Sequence, residues 1–291
     1  MRFEIAGLGV EVDGLGSLTP ELSNLEPFVA KAGGKADGVG TVCTIECGRL
    51  LDGIDGQPLL ENTFDGKTLR LWLVDGGYAV SLQFGDGGRA YRLRASGDWS
   101  RVKTDCNCGT RLDCMALADF IMISFIYSAA HYGTVLVHAS CVAVGSSAAM
   151  FIGPSGVGKS THSRLWLQYV EGARLLNDDQ PALRLCPDGH VYVYGTPWSG
   201  KTSCYRNERA RLEAVFRMNQ ALTNKAVRLD RTEAFCALLD MTSLMKCDAS
   251  SFSKISETVA GIAGKVDTYV LYNRPDREAV QTSHALFSRH G

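Results

Sequence analysis

The sequence has almost no net charge: 30 Lys and Arg stand against 31 Asp and Glu in 291 residues, a formal −1 at pH 7. A chain so balanced sets up no global field to recruit nucleic acid or an anionic membrane, so neither is expected as a partner. No secretory leader is expected either, because Met1-Arg2-Phe3-Glu4-Ile5-Ala6-Gly7 has neither a basic start nor a continuous apolar run. Long apolar runs are scarce. The most apolar stretch, Phe120–Ala130, is too short to cross a bilayer and begins beside Asp119, which favours a buried helix. No repeat of fixed period and no low-complexity tract is present. Cysteine is plentiful, with ten between Cys43 and Cys247, but the paired two-residue spacings of structural zinc sites are absent. Cys106-Asn107-Cys108 with Cys114 comes nearest, and it reads as buried thiols rather than a metal site. Reduced cysteines without a leader make a cytoplasmic location the expectation.

The remaining composition, 45% hydrophobic and 21% charged, suits a globular protein with a proper core. Its length allows one large domain or two modest ones. Eighteen of the 31 glycines fall before residue 98, separating short runs rich in β-branched and aromatic residues. Strands are expected at Thr41–Glu46, Thr68–Val74, Tyr78–Phe84 and Ala90–Ala95, with a hairpin turn at Asp75-Gly76-Gly77. Leu112–His131 reads as an apolar helix of about five turns. From Thr134 short strands alternate with helices, the pattern of an α/β domain. The organisation expected is a β-rich region over 1–110, a linking helix over 111–133 and an α/β nucleotide-binding domain over 134–291.

One segment carries chemistry unmistakably. Gly153-Pro154-Ser155-Gly156-Val157-Gly158-Lys159-Ser160 matches the phosphate-binding loop, or Walker A, pattern at every fixed position. Its glycines let the backbone curl so that successive N–H groups converge on one anion. The helix expected from Lys159 adds its positive dipole end to the same spot. Lys159 supplies a mobile charge for the outer phosphates, and the Ser160 hydroxyl suits a magnesium ligand. Thr161 continues the same helical turn. The apolar strand Ala148–Ile152 before the loop and the helix Lys159–Tyr169 after it are the context in which this pattern binds a nucleoside triphosphate. His162, one turn into that helix, is assigned no role.

A second feature follows closely. Asp178-Asp179 ends the strand after that helix, nineteen residues beyond Lys159. A short right-handed crossover returns this strand close to the loop strand, with both carboxylates at the end where α/β sheets bind ligands. Neighbouring residues on an extended strand point to opposite sides, so the pair suggests two jobs. One carboxylate would hold Mg²⁺ and the other would accept a proton from an attacking hydroxyl.

His138, the apolar strand, Gly153–Ser160, a helix and Asp178-Asp179 occur in the order seen in bacterial HPr kinase/phosphorylase, and over Val135–Leu185 the chain resembles that family. A looser version of the order occurs in ATP-dependent phosphoenolpyruvate carboxykinase. The resemblance implies an HPr kinase/carboxykinase-like P-loop domain, preceded here by the β-rich region, and an ATP- and Mg²⁺-dependent kinase. It implies Gly153–Ser160 with Thr161 on the nucleotide, and Lys159, His138, Asp178 and Asp179 as the catalytic set. Ser160 and Asp179 are the implied metal ligands, with Asp178 leaning towards the base. The implied acceptor is a serine of a peptide or small protein, with a small carboxylic acid as the second choice. A non-catalytic nucleotide-binding regulator is the third reading.

The chain also departs from the family. The downstream signature of phosphorylase chemistry is not recognisable. In its place stands Gly195-Thr196-Pro197-Trp198-Ser199-Gly200-Lys201, where Trp198 and Lys201 are candidate acceptor contacts. Between Arg206 and Arg231 seven Lys and Arg face three Asp and Glu, a tract suited either to an acidic ligand or to a solvated face. Homo-oligomerisation is left open.

Overall fold

In the computed structural model the described residues are 1–30, 40–54, 56–85, 87–200, 202–245 and 249–288. Lys201 lies outside them. The chain divides into two compact units, the first Met1–His131 and the second Tyr132–Met245 with Ser250–Gly291.

The first unit is built on one eight-stranded mixed sheet: β1 (Arg2–Ile5), β2 (Leu8–Asp13), β3 (Thr41–Glu46), β4 (Leu60–Phe64), β5 (Lys67–Val74), β6 (Gly77–Phe84), β7 (Ala90–Ser96) and β8 (Arg101–Thr104). The strands run in the order β1-β2-β3-β8-β7-β6-β5-β4. β7 alternates buried and half-buried residues along its length, as a strand with one packed face must. Val74 pairs with Gly77 across a two-residue turn, and Gly76 takes φ 77° there, a conformation glycine tolerates without strain. β1, β2, β4 and β8 are not among the strands expected from sequence, although β1 and β8 also alternate along their four residues.

Helix α1 (Arg111–Ala130) packs on β3 and β7, and its first turn is capped by Thr110, whose side chain accepts from Asp113 N at 3.2 Å. Lys67 on β5 donates to Asp119 at 2.6 Å, and Trp99 stacks between Tyr78 and Tyr127. Among the described residues α1 is the one helix long and apolar enough to cross a membrane, with 67% of its apolar window buried inside the protein. Burial raises the thiol of Cys43 to about 12 and that of Cys47 to about 11. Cys106 and Cys108 are pushed up by the same cause.

The second unit holds nine strands: β9 (Thr134–Leu136), β10 (Ala139–Val144), β11 (Ser147–Ile152), β12 (Ala173–Asp179), β13 (Ala182–Leu185), β14 (Val191–Tyr194), β15 (Arg209–Gln220), β16 (Lys225–Arg228) and β17 (Asp267–Asn273). Its helices are α2 (Lys159–Tyr169), α3 (Arg231–Met241), α4 (Ala249–Ala263) and α5 (Arg277–Phe287). The main path is β12-β10-β11-β15-β14-β13-β9, and β15 forks. Its first residues pair with β14, while Ala214–Gln220 pair in parallel with β17. α2 and α5 pack against each other, α2 on β10, β11 and β12 and α5 on β15 and β16. Phe151, Trp166, Phe216, Leu271 and Phe287 form the core between helices and sheet. Trp166 has no exposed surface, and its indole N–H donates to Ser283 Oγ at 2.9 Å, so neither its ring nor its polar edge is left wet or unpaired.

The strand order differs from a simple crossover. β11 and β12 run in the same direction, but antiparallel β10 lies between them and pairs with both. The β10–β11 hairpin supplies this middle strand, because Gly145 and Ser146 reverse the chain before α2 begins. The two loops at the carboxyl ends of β11 and β12 therefore face each other across one strand's width.

Candidate active site

The register of β10 assembles the site. Ala139, its first residue, pairs with Ile152 on one side and Asp179 on the other. Ile152 leads directly into the phosphate loop, and His138 immediately precedes Ala139. One end of one strand thus sets the loop, the histidine and the aspartate pair beside each other.

Gly153, Gly156 and Gly158 all have positive φ, at 141°, 80° and 108°. Gly158 is the residue before α2, and no side chain caps that helix. The first-turn N–H groups of α2 have no intrahelical partner, so they and the dipole face the adjoining space. That space is a cleft of about 640 Å³ lined by Ser155, Gly156, Gly158, Lys159, Ser160, Thr161, His138, Asp178 and Asp179. Ala139, Arg164, Gly200 and Thr202 complete its lining. Gly153, Pro154 and Val157 lie in the loop without lining this cleft. Lys159 is buried, and its Nζ donates to the carbonyls of Gly153 (2.7 Å) and Pro154 (3.3 Å). Burial draws its pKa below the usual lysine value, against the opposing pull of Asp179 and Asp178.

The two aspartates do separate things within one cleft. Ser160 Oγ donates to Asp178 Oδ1 at 2.9 Å. Asp179 Oδ1 lies 3.1 Å from His138 Nδ1. Asp179 has φ 150°, outside the range of an ordinary strand, and as the last residue of β12 it also bridges to Ser199. This local twist brings both carboxylates to the same cavity, where regular strand alternation would send them to opposite faces.

The segment 195–200 braces the pair from behind. Asn177 is fully buried, and its Nδ2 donates to Thr196 Oγ1 and Trp198 O, both at 3.2 Å. Its Oδ1 accepts from Gln180 N at 3.0 Å, closing a turn around the two aspartates. Gly200 N donates to Asp178 O at 2.7 Å. Trp198 contributes its carbonyl to this brace and is half-buried, and the cleft lining does not include it.

Of the residues expected at the site, His138, Lys159, Ser160, Thr161, Asp178 and Asp179 line one cleft. Much of the basic tract is engaged elsewhere: Arg211 pairs with Glu213, Arg228 with Asp267, and Arg209 lies over Tyr192. His162 is buried against Phe151 with its Nε2 3.0 Å from Ser283 Oγ. Arg164 was not anticipated. It follows Ser160 by four residues, one helical turn on the same face, and that spacing was a readable signal.

No family model matches the chain, and no curated protein does. Among solved structures the chain is similar to the Hpr(Ser) kinase/phosphatase from Coxiella burnetii, at 11% identity over 53% of this chain and 89% of that chain, with a TM-score of 0.31. A likeness at that level supports no functional argument.

Proposed function

We propose that the second unit is an ATP- and Mg²⁺-dependent phosphotransferase of the HPr kinase-like type, which moves the γ-phosphoryl group of ATP to a hydroxyl, most simply a serine of a peptide or small protein. The observation that carries this reading is the division of labour in the cleft: Ser160 with Asp178, and Asp179 with His138, beside a Walker A loop. A module that only held nucleotide would have no use for a second carboxylate and an imidazole at the phosphate end.

The loop N–H groups and Lys159 hold the triphosphate, as preorganised donors aimed at the transferring group. Magnesium, when bound, would draw on Ser160 and the neighbouring Asp178 and would neutralise charge on the outer phosphates. Asp179, oriented by His138, takes the proton of the acceptor hydroxyl as its oxygen attacks phosphorus and the bond to the ADP oxygen breaks. These roles reverse the leaning drawn from sequence, in which Asp178 was the base and Asp179 the ligand. The hydrogen bond from Ser160 is the reason for the reversal.

Incubation with γ-labelled ATP and serine peptides tests the reading. Asp179→Asn should lower transfer by about 10²-fold or more while ATP binding persists. Asp178→Asn should instead raise the magnesium concentration needed for activity. Wild-type transfer by Asp179→Asn would remove the base from this assignment.

A second reading draws on Arg164, whose guanidinium borders the same cleft and could grip a carboxylate. It is a carboxykinase-like reaction on a small carboxylic acid. Manganese-dependent decarboxylation of oxaloacetate, lost in Arg164→Ala, would favour it over the peptide kinase.

A further inference from the structure

The sheet of the first unit has one packed face and one open face at β7 and β8. α1 lies against β3 and β7, and Tyr91, Leu93 and Ala95 of β7 are buried. The residues between and beyond them, Arg92, Arg94 and Ser96, are half-buried and belong to the other face. Register carries that face onto the next strand. Arg94 pairs with Lys103 of β8, and both Arg101 and Lys103 are exposed.

Three cations therefore stand together, with Arg94 opposite Lys103 and Arg101 two residues along β8, about 7 Å away. Like charges directly opposite each other on neighbouring strands are unfavourable, whereas opposite charges there stabilise a sheet. The carboxylates that border the cluster are engaged elsewhere. Glu46, across from Lys103 on β3, pairs with Arg49 at 2.8 Å. Asp98 accepts from Ser96 Oγ at 2.6 Å and from Ser100 Oγ at 2.8 Å. Asp105 accepts from Arg92 N at 2.8 Å and lies 3.4 Å from Arg89. Among the described residues none forms an ion pair with Arg94, Arg101 or Lys103. The fold thus carries a like-charge pair whose counter-charge it does not supply.

We infer that this patch docks an extended acidic peptide segment of a partner protein, one with carboxylates at alternate residues. Alternate side chains of an extended chain repeat at about 7 Å, the spacing of Arg101 and Lys103. One face of such a segment meets these two cations in turn, with Arg94 beside the second, through charge-assisted hydrogen bonds. Single-stranded nucleic acid fits less well, because it binds on cationic grooves that also offer aromatic faces for stacking. Tyr78 and Tyr91, the aromatic residues of β6 and β7 nearest the cluster, are buried. Trp72 is half-buried two strands away, its indole N–H held by Gly56 O at 3.0 Å. The patch lies wholly in the first unit and does not depend on the phosphotransfer proposed for the second.

Fluorescence anisotropy of a labelled peptide of alternating Glu and Ser, titrated with the full chain, tests the inference. The peptide should bind, and the affinity should weaken as salt rises. Arg101→Gln with Lys103→Gln changes two exposed side chains, so the fold is left intact. This double variant should weaken binding about tenfold or more. Arg2→Gln, which removes a cation from β1 at the far edge of the same sheet, should leave binding within about twofold. Failure of the wild type to bind the peptide overturns the inference. So does unchanged affinity in the double variant, or an equal loss in Arg2→Gln. Tighter binding of an oligothymidylate of matched charge would also overturn it, by making the patch a nucleic-acid site.

Discussion

His162 gives the clearest test of how the loop helix is held. It lies on α2 with 1% of its surface exposed, edge-on to Phe151 of β11 at 4.7 Å and with Nε2 3.0 Å from Ser283 Oγ of α5. Its Nδ1 has no hydrogen-bond partner, and burial pushes its pKa down from 6.5 to about 4. The folded protein therefore keeps this ring neutral where the unfolded chain would protonate it. Stability is undiminished by this group above about pH 6.5 and falls as the pH drops from there towards 4. Each pH unit inside the window costs about 1.4 kcal/mol, so acidification from pH 7 to pH 5 removes about 2 kcal/mol. His162→Gln removes the titration while leaving an amide to meet Ser283. Urea unfolding of both proteins at pH 7 and pH 5, read by amide exchange in β11, measures the difference. The wild type should lose about 2 kcal/mol more than the variant over that interval. An equal loss in both would show that His162 is not held neutral and that its burial has been misjudged.

Three other outcomes are expected. Ser160→Ala should raise the magnesium requirement of any transfer about tenfold, through loss of one oxygen ligand, while thermal stability changes little; magnesium titration of activity reads this. Gly195→Ala would place a Cβ 2.1 Å from Arg206 O and 2.9 Å from Leu176 O, so the segment behind the aspartates must move. A cost of about 1–3 kcal/mol in unfolding free energy should accompany reduced transfer. Lys67→Met strips the partner from Asp119, whose pKa burial already raises, and should destabilise the first unit by about 1–3 kcal/mol near neutrality. That deficit should shrink in acid as the lone carboxyl protonates, which melting temperatures at two pH values would show.

Local chemistry made the elements around the phosphate loop legible, while β13 and β16 of the second unit were not foreseen. The apolar strand, the glycine loop and the helix after it each have a short-range cause, so Ala148–Ile152 and Lys159–Tyr169 follow from the residues themselves, and the strand gains only Ser147 in the structure. Strand neighbours do not. A strand–helix–strand sequence reads alike whether its two strands touch or leave room for a third, and here β10 fills that room. The fork of β15 is hidden for a similar reason. Its twelve residues serve β14 at one end and β17 along the rest, and a burial pattern cannot reveal two different partners on one edge. In the first unit, β4 has hardly a buried residue to mark it, because it is the sheet's outermost strand.

The aspartate pair shows how a local rule can fail where chemistry is concentrated. Strand alternation assigns Asp178 and Asp179 to opposite faces, which would leave only one of them at the loop. Two constraints outside the pair defeat that rule. Asn177 is anchored in the interior by Thr196 and Trp198, and Asp179, paired with Ala139 on one side, also bridges Ser199. The backbone between them absorbs the conflict at φ 150°, a cost of about 1–3 kcal/mol that the surrounding hydrogen bonds must offset. Neither constraint is visible from Asp178-Asp179 alone, because both come from a loop some twenty residues further on. In the sequence that loop offers Trp198 as an acceptor contact. Its firmer claim is positional: by holding Asn177, Asp178 and Asp179 from behind, it converts two strand residues into two groups facing one cleft.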